Sequence, residues 1–127
     1  MLLFDTSALI DLEAELCEKR VGPVRAFMGR HLGEDLACST ITIGELAVGS
    51  RESAARILTR RLRKIPVSEA IAYRAADLDR SLVGNGQRLG ENDTWIAATA
   101  LYYSATLVHI DADFLRVPGL KIAHLKS

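Results

Sequence analysis

LLFDTSALI, residues 2–10, passes from an apolar run to a carboxylate, then to two hydroxyls, and back to apolar side chains. The triplet Leu2-Leu3-Phe4 reads as a short buried strand, and residues 7–19 as a helix that begins apolar and becomes acidic. A strand that hands over to a helix within a few residues is the opening of an α/β unit. Asp5 stands at the joint. Either it ends the strand and serves the start of the helix, or it is placed to bind something, because ionising a carboxyl partway into a core is costly.

The same handover recurs along the chain. Further short apolar strands are expected at LACS (36–39), KIPV (64–67), TLVHI (106–110) and KIAHL (121–125). Between them lie helical patterns: PVRAFMGRHL with Val24, Phe27, Met28 and Leu32 on one face, a short helix over 42–49, and a basic amphipathic one over 51–63. Residues 68–83 place Ile71, Ala75, Leu78 and Leu82 at helical spacing, and 93–104 are apolar nearly all round, as in a buried helix. Strands without alternation, interleaved with helices, imply a parallel sheet covered on both faces. The expected fold is α/β, a three-layer α/β/α sandwich with a central, mainly parallel sheet, formed by one domain over residues 1–127. Such folds bind ligands outside the carboxyl ends of their strands.

Composition narrows the class. The 127 residues carry 16 Lys and Arg against 16 Asp and Glu, so the net charge of zero favours neither nucleic acid nor a membrane surface as a general partner. Cys17 and Cys38 form no CxxC pair, and Cys38 sits in an apolar run as a small core residue. The N-terminus lacks a basic segment, and the longest mostly apolar stretch, WIAATALYYSATLV, falls short of the roughly 20 residues of a membrane span. A soluble cytoplasmic protein is expected, with no membrane partner.

Four acids fall where strands end and helices start: Asp5 after LLF, Glu45 in the helix after LACS, Asp93 opening the apolar helix, and Asp111 after TLVHI, with Asp113 two residues on. Each has a structural alternative. Thr42 and Glu45 match a capping box, Asn92 or Asp93 would cap a helix, and Asp111 and Asp113 flank a turn. These alternatives leave unexplained why four separate elements present a carboxylate at one edge. The remaining acids, Glu13 and Glu15 among them, are expected mostly on solvated helix faces or in loops.

Gathering carboxylates is expensive: two unit charges about 5 Å apart repel by roughly 3 kcal/mol at an effective dielectric near 20. A hard divalent cation removes that penalty, and all-oxygen ligands suit Mg²⁺ or Mn²⁺. The chemistry implied is metal-assisted hydrolysis of a phosphodiester.

The chain resembles a PIN domain, and within that family the VapC toxins of bacterial VapBC toxin–antitoxin pairs. The landmarks are FDTSALID, STITIGELAVG around Glu45, GQRLGENDTWIAATAL around Asp93 and TLVHIDADFLRVPGLKI, in order and spanning nearly the whole length. The resemblance implies a Mg²⁺- or Mn²⁺-dependent endoribonuclease of α/β/α fold, a homodimer, neutralised by a VapB-type antitoxin, with tRNA, rRNA or mRNA as substrate. Carried across, Asp5, Glu45, Asp93 and Asp111 would be the catalytic, metal-binding acids and Asp113 a further metal ligand. Thr6 would be the hydroxyl supporting the site, while Ser7 would start the helix. The family pattern has a threonine near the end of the fourth strand; this chain has His109, which reads as a satisfied structural residue rather than an RNA contact or proton carrier.

Arg88, in the loop before Asp93, is the candidate for contacting an RNA phosphate. Arg51, Arg56, Arg60, Arg61, Arg63 and Lys64 crowd residues 51–64 against Glu52 alone, as a phosphate- or antitoxin-binding face or as an ordinary solvated surface. Trp95, Tyr102 and Tyr103 are assigned to packing. Two rival functions share the features so far: phosphoryl transfer through an aspartyl-phosphate at Asp5, for which Lys121 is the nearest candidate lysine, and a non-catalytic interaction domain.

Overall fold

The computed structural model describes residues 1–126, excepting the side chain of Ala112. Five strands form one sheet: β1 (Leu2–Phe4), β2 (Leu36–Ser39), β3 (Arg63–Ile65), β4 (Thr106–His109) and β5 (Lys121–His124). Its order is β3-β2-β1-β4-β5 and every pairing is parallel. Six helices cover it: α1 (Thr6–Cys17), α2 (Pro23–Arg30), α3 (Thr40–Gly49), α4 (Glu52–Leu58), α5 (Glu69–Gly84) and α6 (Glu91–Tyr102), and a 3-10 turn (Ala112–Arg116) follows β4. None of these helices is long and apolar enough to cross a membrane, among the described residues.

Successive strand side chains point to opposite faces, and here both faces are buried. Leu2, Phe4, Cys38 and Val108 pack with Leu9 and Leu12 of α1, Phe27 of α2, Leu46 of α3 and Leu58 of α4. Leu3, Ala37, Ile65 and Leu107 face the other way, onto Ile71, Ala75 and Leu82 of α5 and Ile96 and Ala97 of α6. The three-layer α/β/α expectation is met. Cys38 lies in the first of these cores, where burial pushes its thiol up to about 11.

Several expected boundaries move, each for a local reason. α3 starts at Thr40 rather than 42, because Ser39 at the end of β2 caps it, its hydroxyl accepting from the Ile41 amide at 3.1 Å. Thr42 and Glu45 therefore lie inside the helix, and no capping box forms. α6 begins at Glu91 behind Gly90 with no side-chain cap, so neither Asn92 nor Asp93 serves as one. The basic stretch 51–63 is not one helix. α4 ends at Leu58, and the chain turns to deliver β3 to the free edge of β2, pairing Ala37 with Arg63 and Ser39 with Ile65. Leu58, Leu62 and Ile65 are buried, and that burial decides the break. β3 then stops before Pro66, which has no amide proton to extend a ladder.

Glu15 is not on a solvated face. Only 1% exposed, its carboxylate accepts from the amides of Gly22, Val24 and Arg25 at 2.9, 2.9 and 3.0 Å. These are the orphan donors at the start of α2, whose Gly22 and Pro23 offer no capping side chain. A side chain at 22 would displace this cap, since a Cβ would lie 2.6 Å from the Glu15 Cδ.

Candidate active site

The sheet reverses its direction of growth between β1 and β4: β2 and β3 build outward on one side, β5 on the other. Crevices at the carboxyl ends of strands form at such points. Asp5 leaves β1 there and Asp111 leaves β4 two residues beyond its end. The β1–β4 ladder continues through the Asp5 amide, which donates to the Val108 carbonyl at 3.0 Å, so the acid is carried on rigid backbone.

Asp5 is 3% exposed and caps α1, its Oδ1 accepting from the Ala8 amide at 2.9 Å. The Ser7 hydroxyl donates to the same carboxylate, 2.8 and 2.9 Å from its two oxygens. Asp5 is therefore the cap of α1, and the same residue stands at the carboxyl end of β1 beside β4. Burial pushes its carboxyl up to about 6; the Ala8 and Ser7 hydrogen bonds pull the other way, and the negative charges of Asp93 and Asp111 add to the rise.

The other acids are oriented by neighbours from distant parts of the chain. The Thr6 hydroxyl lies 2.5 Å from Glu45 Oε1 and 3.2 Å from the Thr42 hydroxyl. Asn92 donates its amide to Glu45 Oε2 at 3.2 Å. Asp93, in the first turn of α6, is held above the usual carboxylate range by burial and then by Glu45, Asp111 and Asp113. Asp111 caps the 3-10 turn, accepting from the Asp113 amide at 3.1 Å. The turn alternative for Asp111 is thus realised, and coexists with its place among the acids.

Ser7 does more than start a helix. While donating to Asp5, its oxygen accepts from the amides of Ile110 and Asp111 at 3.1 and 3.4 Å, tying the end of β1 to the end of β4. Neither this bridge nor the Asn92 contact was foreseen. A hydroxyl two residues after the first acid and an amide just before the third were the only available signals, and both also suit a helix start.

Every ion pair among the described residues lies outside Asp5, Glu45, Asp93 and Asp111. Asp113 has Arg116 at 3.7 Å. Arg88 is mostly exposed and turns toward α5, its Nε donating to Asp79 at 3.2 Å. Trp95 packs on the core, whereas Tyr102 and Tyr103 are partly exposed at the other end of α6 from Asp93, with Arg63 5.9 Å above the Tyr103 ring. Lys121 pairs in register with Thr106 at the start of β4, the far end of the strands from Asp5, which leaves the aspartyl-phosphate reading without its lysine.

As the side chains stand, no three His, Cys, Asp or Glu residues close around a point that would enclose an ion, among the described residues. The donor set still fits a hard divalent cation: carboxylate oxygens only, from four elements, with the charges of Asp93 and Asp111 adding to the rise at Asp5, those of Glu45 and Asp111 to the rise at Asp93, and no ion pair among the described residues offsetting the four.

Residues 2–120 match the family described as the PIN domain. Ribonuclease VapC4 of Mycobacterium tuberculosis is 31% identical over 130 residues, covering 94% of this chain and 93% of that protein. The chain is a PIN-domain protein of the VapC family. Ribonuclease VapC11 of the same species is 28% identical, with 99% and 100% covered. Among solved structures, this PIN domain is similar to VapBC2 from Rickettsia felis bound to a promoter DNA fragment. That likeness has a TM-score of 0.85 at 23% identity and covers 98% of each chain. A toxin–antitoxin complex from Klebsiella pneumoniae matches with a TM-score of 0.67 at 28% identity, over 97% and 96%.

Proposed function

We propose that this protein is the toxin of a toxin–antitoxin pair: an endoribonuclease that hydrolyses RNA phosphodiester bonds with Mg²⁺ or Mn²⁺ and is neutralised by a VapB-type antitoxin. One observation carries the reading. Carboxylates from four elements lie on the same side of a parallel sheet near its switch point, Asp5 within range of the charges of Asp93 and Asp111, and Asp93 within range of Glu45 and Asp111, and none of the four has a basic partner among the described residues. The relatives named as VapC ribonucleases support the nuclease, and the toxin–antitoxin complexes of the same fold support the pairing.

Asp5, Glu45, Asp93 and Asp111 would hold the metal, with Asp113 as a further ligand. A divalent cation bound there supplies an activated water and neutralises charge building on the scissile phosphate. The chain's own residues prepare the ground. Thr6 and Asn92 fix both oxygens of Glu45, and Ser7 joins the Asp5 carboxylate to the backbone that presents Asp111. Asp5, buried at the end of β1 with its carboxyl pushed up to about 6, would receive the cation in its ionised form, so metal binding there would weaken as pH falls below that value. Arg88, itself mostly exposed, is free to leave its half-buried partner Asp79 for an RNA phosphate. Homodimerisation and a cytoplasmic location belong to the same proposal.

Cleavage of a tRNA and rRNA panel, with Mg²⁺ or Mn²⁺ and with EDTA, tests it, using the wild type and Asp93→Asn. Cleavage is expected only with metal, and the variant should lose at least about a hundredfold in rate while keeping its circular dichroism spectrum. Undiminished cutting in EDTA, or by the variant, rules the proposal out.

A further inference from the structure

His109 ends β4 and is wholly buried. Its Nδ1 lies against the backbone carbonyl oxygen of Asp111. A carbonyl only accepts, so the ring proton sits on Nδ1 and Nε2 is left as a bare lone pair. That Nε2 is enclosed and has no hydrogen-bond partner among the described residues. The ring packs edge-on to Phe114, with centroids 5.6 Å apart, and 4.9 Å from His124. Enclosure at both nitrogens excludes contact with RNA and proton exchange with a substrate. The expectation of a satisfied structural histidine holds for Nδ1 and fails for Nε2.

A leucine or phenylalanine would avoid the unpartnered Nε2 but leave the Asp111 carbonyl without this donor, so what the imidazole adds here is its one hydrogen bond. That bond closes the last free polar group of the Asp111 backbone. Ser7 receives the Asp111 amide, His109 holds its carbonyl, and its carboxylate receives the Asp113 amide. The segment carrying two of the five acids is thereby gripped from both sides.

We propose that His109 is a positioning residue of the acid cluster: an imidazole whose Nδ1–H pins the Asp111 carbonyl and so sets the direction of the Asp111 and Asp113 carboxylates. The inference rests on the metal-binding reading above. It assigns the role of the fourth-strand residue to a hydrogen bond from beneath the site rather than to contact with metal or RNA.

The test is Mn²⁺ titration of metal-free protein, with free Mn²⁺ read by electron paramagnetic resonance, for wild type, His109→Asn and His109→Leu. Thermal unfolding of the same metal-free samples is measured alongside. Asparagine keeps an N–H near the position of Nδ1 but leaves a void; leucine fills the space but cannot donate. His109→Leu should bind Mn²⁺ about tenfold more weakly than wild type, and His109→Asn should stay within about threefold. The melting temperatures should rank the other way, with asparagine no more stable than leucine. Wild-type affinity in His109→Leu overturns the proposal, as does affinity that follows melting temperature in both variants. If wild type binds no Mn²⁺, the metal reading falls and this role with it; wild-type binding with an unaffected leucine variant removes only the role of His109. Should a variant not fold, long-range proton–nitrogen NMR of the unaltered protein decides: an Nδ1-protonated ring supports the proposal, and an Nε2-protonated ring refutes it.

Discussion

Replacing Asp5 with asparagine should make the metal-free protein more stable at neutral pH, even though it removes a proposed catalytic group. Burial raises this carboxyl from 3.8 to about 6. The folded chain therefore binds the Asp5 proton more tightly than the unfolded chain does. At low pH both states are protonated and no penalty exists. As pH rises past the unfolded value, the unfolded chain ionises first and stability falls, levelling off once pH exceeds the folded value. A shift of about two units corresponds to about 3 kcal/mol lost above pH 6. Asparagine cannot ionise, still offers Oδ1 to the Ala8 amide, and is a favoured cap. The assay is urea unfolding in EDTA at steps from about pH 4 to about pH 8, following the difference between wild type and variant. That difference should shift in favour of Asp5→Asn by about 2–3 kcal/mol across the range, and adding Mn²⁺ at neutral pH should stabilise only the wild type. A difference that stays flat with pH, or moves the other way, refutes the claim that Asp5 is held at the crevice at an electrostatic cost.

Two further substitutions separate site from scaffold. Thr6→Val removes the hydroxyl on Glu45 Oε1 with little change of shape, and RNA cleavage should fall about tenfold while the fold persists; an unchanged rate would deny Thr6 its supporting role. Glu15→Gln leaves one oxygen where two had served three amides of α2, and urea unfolding should register a loss of about 1–3 kcal/mol, an unaltered midpoint being evidence against this cap.

The three-layer architecture was legible because its signals are local. Leu2-Leu3-Phe4 and Thr106-Leu107-Val108 read as strands buried on both faces, and Ile71, Ala75 and Leu82 as one helical stripe, whatever the rest of the chain does. Asp5, Glu45 and Asp111 could be picked out from sequence as candidates because each follows a strand, and a parallel sheet sends every strand end to the same edge; Asp93, whose helix follows another helix, was picked out by its place at the start of the apolar helix α6. The break at Leu58 was not legible, since residues 51–63 keep a helical pattern on both sides of it. What ends α4 is the open edge of β2, a feature of another segment.

Side-chain partnerships are decided only in three dimensions. Glu45 fits a capping box by its spacing to Thr42, yet its oxygens go to Thr6 and Asn92, 39 and 47 residues away. Ser7 reaches Ile110 across 103 residues, and Glu15 belongs to the start of the next helix instead of to solvent. A hydrogen bond depends on tenths of an ångström and on direction, and neither is encoded in any stretch of sequence short enough to read by pattern. LLFDTSALI by itself determined that a carboxylate ends the first strand. That this carboxylate also caps α1, is tied through Ser7 to β4, and carries a raised pKa among other acids was decided by the packing of the whole sheet.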